Sequence, residues 1–326
     1  MTKKSLRYLS ISLKIGIIIC TLSAVVYKVT NNKDFGDIQT YYKSVINQEN
    51  QLLLLGLVML LLPLNWIIES IKWRFLVKKV QNISFAVSLK SVLAGVTLGA
   101  ITPNRIGEYA GRVLFVAHRS RIYVALCTIL SGVAQITATI LFGTSAFYFY
   151  YLFFIKSIEE SWFESYLLIL ILLFNILILI VFLNSSALLL LIKKLKLSTK
   201  ASNYLSIFKR YHTRELIIVL GWSTLRYFVF SIQLILLLYF FQVDIPLNLL
   251  AILIPISFLV LAVIPSIALA ELGIREAVAL TFLGQVSDNH LGIISATFLL
   301  WLINLAIPAG IGSFLILKAK IFNQET

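Results

Sequence analysis

Charge is scarce in this chain, and acid most of all. Of 326 residues, 13% are charged, 14 of them acidic, whereas 60% are hydrophobic. A soluble domain carries about 25% charged residues, so too few polar groups remain to cover a water-soluble globule of this length. Cysteine is nearly absent. Cys20 and Cys127 both sit in apolar runs, which reads as two buried thiols and excludes a disulfide scaffold. Histidine is as rare. His118, His212 and His290 are scattered without the spacing of metal ligands. No glycine-rich phosphate loop of the nucleotide-binding kinds occurs, and no aspartate-rich metal motif. Neither a cofactor nor a metal is therefore expected. The net charge of +14 raises the question of nucleic acid, but its placement at the ends of apolar runs points to membrane topology and to no nucleic-acid partner.

What is abundant is apolar sequence in long runs, with a mean hydropathy of +0.94. A span needs about 20 mostly apolar residues. Residues 10–29, 51–71, 122–154, 164–192, 215–241 and 290–317 meet that requirement. The first follows Lys3, Lys4, Arg7 and Lys14, as in a signal peptide. The small-residue cleavage pattern is unclear there, so it is expected to stay as a first span. Two further regions are apolar but broken: residues 85–117 by Thr102-Pro103-Asn104-Arg105, and residues 246–284 by Pro255, Pro265 and the polar group around Glu271.

Lysine and arginine in short loops mark the cytoplasmic side. Lys72, Arg74, Lys78, Lys79 and Lys90, then Arg119 and Arg121, then the run from Lys193 to Arg214, and finally Lys318 and Lys320, join the N-terminal cations on one side. The opposite segments hold Lys28, Lys33, Lys43 and Lys156 among most of the acids. Both termini are thus expected in the cytoplasm of a multi-pass cell-membrane protein. On this assignment 85–117 enters and leaves from the inside, and 246–284 from the outside. The expected fold is an all-α polytopic membrane protein of about six transmembrane helices plus two re-entrant or broken helical hairpins. It forms a single domain over 1–326, built as an inverted repeat with approximate halves 1–155 and 156–326. Such repeats, with broken helices meeting near the midplane, are a transporter plan.

Ionisable groups at membrane depth are functional candidates. In the first hairpin Thr102-Pro103 reads as a helix start. From it Arg105, Glu108 and Arg112 fall on one face, and Gly107 and Gly111 let another helix approach. The free N–H groups of that start, with Arg105, suit an anion such as a phosphate. The competing reading is a Glu108–Arg112 pair that only neutralises itself. The second hairpin carries Glu271, Gly273, Arg275 and Glu276. Arg105, Glu108, Arg112, Glu271, Arg275 and Glu276 are the expected substrate-binding set. Pro103, Gly107 and Gly273, with Asn65 and Glu69 beyond the kink at Pro63 and Arg226 in the fifth span, are expected to support it. Arg226 is expected to partner a glutamate, whereas Glu69 has an interfacial position as its alternative. Trp73 and Trp162 read as interfacial anchors, and the basic loop from Lys193 to Lys200 as a topology signal or an anionic-lipid contact.

Thr102-Pro103-Asn104-Arg105-Ile106-Gly107-Glu108 with Arg112 resembles the Pro-x-Arg-x-Gly-Glu signature of the lysylphosphatidylglycerol synthase transmembrane region, or flippase-like domain, family. Leu272-Gly273-Ile274-Arg275-Glu276 resembles its second signature, and Lys72-Trp73-Arg74 is similar to its basic-Trp motif. The chain departs in having Ala270-Glu271 where a glycine-rich approach is expected. A soluble aminoacyl-transferase domain is not expected beside these spans, and neither is lysyl transfer. The resemblance implies lipid handling: a translocase or flippase-like transporter that binds a phosphate-bearing phospholipid or lipid-linked substrate at a midplane site. The alternatives are a membrane enzyme acting on a lipid-linked phosphate or sugar, and an accessory subunit of a lipid-modifying complex.

Overall fold

The computed structural model describes residues 35–46, 50–117, 120–155, 161–184, 204–264 and 268–318. The expected first span, residues 10–29, lies outside the described residues, as do Cys20, the basic run 193–200 and Pro265. The fold is all-α. Contacts divide the chain into a unit up to Leu53 and a second from Leu54 onward. The first unit contains helix α1 (Phe35–Ile46), and the site described below lies in the second.

Among the described residues, five helical segments are long and apolar enough to cross a membrane. They are α2 (Gln51–Val77), α5 (Arg121–Tyr150) with its π turn Tyr151–Ile155, α6 (Ser161–Leu183), α7 (Thr213–Phe240), and a composite last span. That span is α10 (His290–Trp301), a π turn Leu302–Ala306 and α11 (Ile307–Lys318). Proline removes a backbone donor, and the π turn just ahead of Pro308 is the kind of local adjustment that keeps such a helix continuous.

Both broken segments are helical hairpins. The first is α3 (Phe85–Ala100), a 3-10 turn Pro103–Arg105, and α4 (Gly107–Arg112). The second is α8 (Leu247–Val263) and α9 (Ala268–Leu283). At 1.5 Å per residue α3 and α8 extend about 24–26 Å, short of the roughly 30 Å hydrocarbon core. The return arms are unequal. α4 has 6 residues and α9 has 16, so the expected likeness of the two hairpins holds for their entering arms only.

The packing joins elements far apart in the chain. α3 lies along α11, and α8 lies along α5. Glycines set both contacts: a Cβ on Gly312 would strike the Leu93 carbonyl and Thr97, and one on Gly143 would meet Leu259 and the Pro255 carbonyl. Thr97 adds a hydrogen bond to the Ala309 carbonyl at 2.8 Å. The buried core under the first hairpin joins Trp73, Leu76, Val92, Val96, Val124, Leu130 and Leu216. Outward faces such as Leu168, Leu172, Ile176 and Ile180 on α6 are exposed apolar surface, as lipid-facing helices require.

Candidate functional site

Glu69 is the centre of the site. On α2, Asn65, Glu69 and Lys72 recur at i, i+4 and i+7 and share one face, and all three are buried. A carboxylate taken out of water needs opposite charge and filled lone pairs. Both oxygens are filled. Oε1 accepts from Arg112 at 2.8 Å and from the Ser131 hydroxyl at 3.2 Å. Oε2 pairs with Lys72 at 2.8 Å and accepts from Arg226 at 3.1 Å. Lys72 also donates to the Ser131 carbonyl at 3.4 Å and the Ser223 hydroxyl at 3.3 Å.

Arg226 continues the network. It donates to Asn65 Oδ1 at 2.7 Å, and its guanidinium lies over Trp66 and Phe230, 5.3 and 5.4 Å from the ring centroids. Asn65 donates to Asn304 at 2.8 Å, Asn304 to Gln233 at 3.0 Å, and Gln233 to the Val58 carbonyl at 3.2 Å. Asn304 sits in the π turn of the last span, which ties that backbone irregularity to the site.

The first hairpin closes the site. Its helix does not begin at Pro103 as expected. Asn104 and Arg105 have φ of 49° and 56°, a left-handed region that a β-carbon disfavours, and α4 starts only at Gly107. The Thr102 hydroxyl accepts from Gly107 N at 2.7 Å and donates to the Leu98 carbonyl at 2.9 Å. The opening donor of the six-residue helix is thus already used, and the positive charge at this turn is that of side-chain cations. Gly107 and Gly111 do permit the close approach expected of them, to α3 of the same hairpin. Added Cβ atoms would strike the Leu98 and Ala94 carbonyls. That approach brings Arg112 inward, where it pairs with Glu108 and with Glu69 and lies 5.9 Å from the Trp73 ring centroid.

These groups enclose a cavity of about 260 Å³, at the small end of ligand pockets. Lys72, Arg105, Arg112 and Arg226 line it with Glu69 and Glu108, a surplus of two positive charges; Trp66, Gly132 and Gln135 complete its wall. Arg105 is 45% exposed, and its Nε lies 3.9 Å from Glu271 of the other hairpin.

The second cluster is placed differently from the first. Glu271 accepts from Arg275 at 3.1 and 2.5 Å. Arg275 lines a separate small space with Leu234, Ser257 and Phe258. Glu276 is half-buried, without a hydrogen bond or ion pair to any described residue. Gly273 faces open space. The structure therefore gathers Glu69, Arg105, Glu108, Arg112 and Arg226, with Asn65 behind them and Pro103 in the turn, and leaves Arg275, Glu276 and Gly273 outside the cavity.

Sequence reasoning missed Lys72, which read as a loop cation yet is 1% exposed. Trp73 is no interfacial anchor: it is buried and donates to Thr128 at 3.0 Å. Gln135, Gln233 and Asn304 were also missed; the available signal was a polar side chain interrupting an apolar span. Cys127 is a buried free thiol.

No curated protein and no solved structure matches the chain. The family model for the lysylphosphatidylglycerol synthase TM region matches residues 11–312, a stretch that contains both hairpins and every residue of the cavity. On that match the chain belongs to the lysylphosphatidylglycerol synthase transmembrane-region family.

Proposed function

We propose that this protein binds the phosphate of a membrane lipid in the cavity between Glu69 and the first hairpin, and moves the headgroup between leaflets. The observation that carries the reading is the surplus of positive charge in a space walled by membrane-length apolar helices. Charge at such depth is costly and is kept where it meets a charged partner. Membership of a family named for a phospholipid synthase agrees with a lipid ligand.

In this reading Lys72 and Arg226 are held by Glu69 as a fixed positive floor, and Arg105 is the mobile contact. Its long link to Glu271 is the weakest ion pair in the site. A phosphate oxygen at Arg105 competes with Glu271 and loosens the two hairpins from each other. Rocking of the hairpins about the bound headgroup then opens the cavity to one leaflet or the other. The charge distribution along the loops supports a cell-membrane location with both termini inside.

A liposome assay with the purified protein and a labelled phospholipid tests this. Arg105→Ala is expected to slow lipid transfer at least tenfold, while Glu276→Gln, outside the cavity, transfers at the wild-type rate. Loss of transfer in Glu276→Gln with full activity in Arg105→Ala would move the site to the other hairpin and overturn the reading. Activity appearing only when a donor substrate is added would instead mark an enzyme.

A further inference from the structure

The last span is built of two helices that pack on different parts of the molecule. α10 lies against α7 and against α9 of the second hairpin, whereas α11 lies against α3 of the first. The joint between them is the π turn Leu302–Ala306, and there the backbone ladder is interrupted twice. Pro308 has no N–H to give the Asn304 carbonyl four residues back. The Leu300 carbonyl accepts from the Asn304 side chain at 3.3 Å, where a regular α-helix would supply a backbone N–H. Helices bend where the ladder is broken in this way.

Asn304 fixes the turn from the side. It is buried, its Nδ2 also donates to Gln233 at 3.0 Å, and its Oδ1 accepts from Asn65 at 2.8 Å. The first hairpin reaches this residue by two routes. One is polar and runs from Arg112 through Glu69, Arg226 and Asn65. The other is steric. It runs from α4 across Gly107 and Gly111 to α3, then across Gly312 and the Thr97–Ala309 hydrogen bond to α11. The two routes close a ring. Packed helices transmit strain and do not absorb it, so a displacement of Arg112 from Glu69 is taken up where the ring is most compliant, at the π turn.

We propose, resting on the transport reading above, that the π turn is the hinge that lets the two hairpins move relative to each other, with Asn304 as its positioning residue. While Glu69 holds Arg112, the ring keeps Asn304 seated on Asn65 and Gln233, and the last span is fixed. When the first hairpin leaves Glu69, α11 follows it and the turn bends. α10 stays with α9, which carries Glu271 opposite Arg105. The hairpins part without either leaving the helix it is docked on.

The test uses the full-length protein in phosphatidylcholine nanodiscs, with Cys20 and Cys127 replaced by alanine. Spin labels on Ile217→Cys of α7 and Leu317→Cys of α11, both exposed positions, report the swing of α11 as an electron–electron distance. Arg112→Ala releases the hairpin from Glu69 and is expected to shift that distance beyond its wild-type width. The π turn has five residues, and about four α-helical residues rotate the chain through the same angle. Deletion of Leu302 therefore makes the span continuous α-helix and keeps both of its parts on their present faces. Combined with Arg112→Ala, the deletion is expected to return the distance to the wild-type value. No shift in Arg112→Ala, or an equal shift with Leu302 deleted, overturns the hinge. In the liposome assay the deletion alone is expected to slow transfer at least tenfold with no fall in the unfolding temperature, and transfer at the wild-type rate overturns the hinge as well. Where the deletion variant does not fold, Pro308→Ala, which restores a backbone donor to the turn, carries both comparisons. Wild-type protein that transfers no lipid overturns the transport reading, and the distance measurement still decides the hinge.

Discussion

Glu69 compensates three cations at once, so its removal has a consequence that an ordinary surface acid would not. Glu69→Leu leaves Lys72, Arg112 and Arg226 facing one another, the first two fully buried. Breaking a buried ion pair by deleting one partner costs about 3–5 kcal/mol, and thermal unfolding in detergent is expected to show a loss of that order. The double variant Glu69→Leu/Lys72→Met removes one of the stranded charges and is expected to recover at least about 1 kcal/mol of the loss, the sign of direct coupling. Unchanged unfolding of the single variant would mean that the cluster is not the charged anchor described. At this scale the sequence was partly legible. A glutamate and arginines inside apolar runs are conspicuous, and Glu69, Arg112 and Arg226 were visible for that reason. Lys72 was not, because Lys72-Trp73-Arg74 has the look of a membrane-boundary cluster. Its burial is created by Ser131 and Ser223, 59 and 151 residues away.

The first hairpin shows which local rules hold and which are overridden. Glycines four residues apart announce a close helix contact, and Gly107 and Gly111 make one. The spacing does not say which helix is approached; the answer, α3 of the same hairpin, depends on a sharp turn. The Thr-Pro pair read as a helix start, and it fails because Asn104 and Arg105 turn left-handed there. Gly111 is the element's sensitive point, since its Cβ would strike the Ala94 carbonyl and Gly95. Gly111→Ala is expected to cost about 1–3 kcal/mol through overpacking. It also pushes α4 outward and withdraws Arg112 from Glu69, so lipid binding should fall with stability. Gly273→Ala is the matched control: it adds a methyl group to open space, and its stability is expected to stay within about 0.5 kcal/mol or rise slightly. Equal behaviour of the two variants in an unfolding scan would remove the close approach as the device that positions Arg112.

At the scale of the molecule, each hairpin docks on a span far from it in the chain. The entering arms pack as α3 on α11 and α8 on α5, and each contact is opened by one glycine, Gly312 and Gly143. Reciprocal docking of this kind is what two inverted halves related by an axis in the membrane plane would produce. The spans were legible from hydropathy because lipid demands long apolar runs; the docking was not, because no local pattern encodes which span a hairpin joins. The arrangement makes a prediction about sides. Asn82, before α3 and next to Lys78 and Lys79, and Asp288, before α10, are both exposed. In a background with Cys20 and Cys127 replaced by alanine, Asp288→Cys is expected to react with an impermeant maleimide applied to intact cells. Asn82→Cys is expected to react only after permeabilisation. Labelling of both from outside would put the two hairpins on one face, and Arg105 and Glu271 would then meet without bridging the leaflets. The cavity would keep its charge and its capacity for an anion. Rocking of the hairpins would no longer carry a headgroup from one side to the other, and binding without translocation would be all that the site can do.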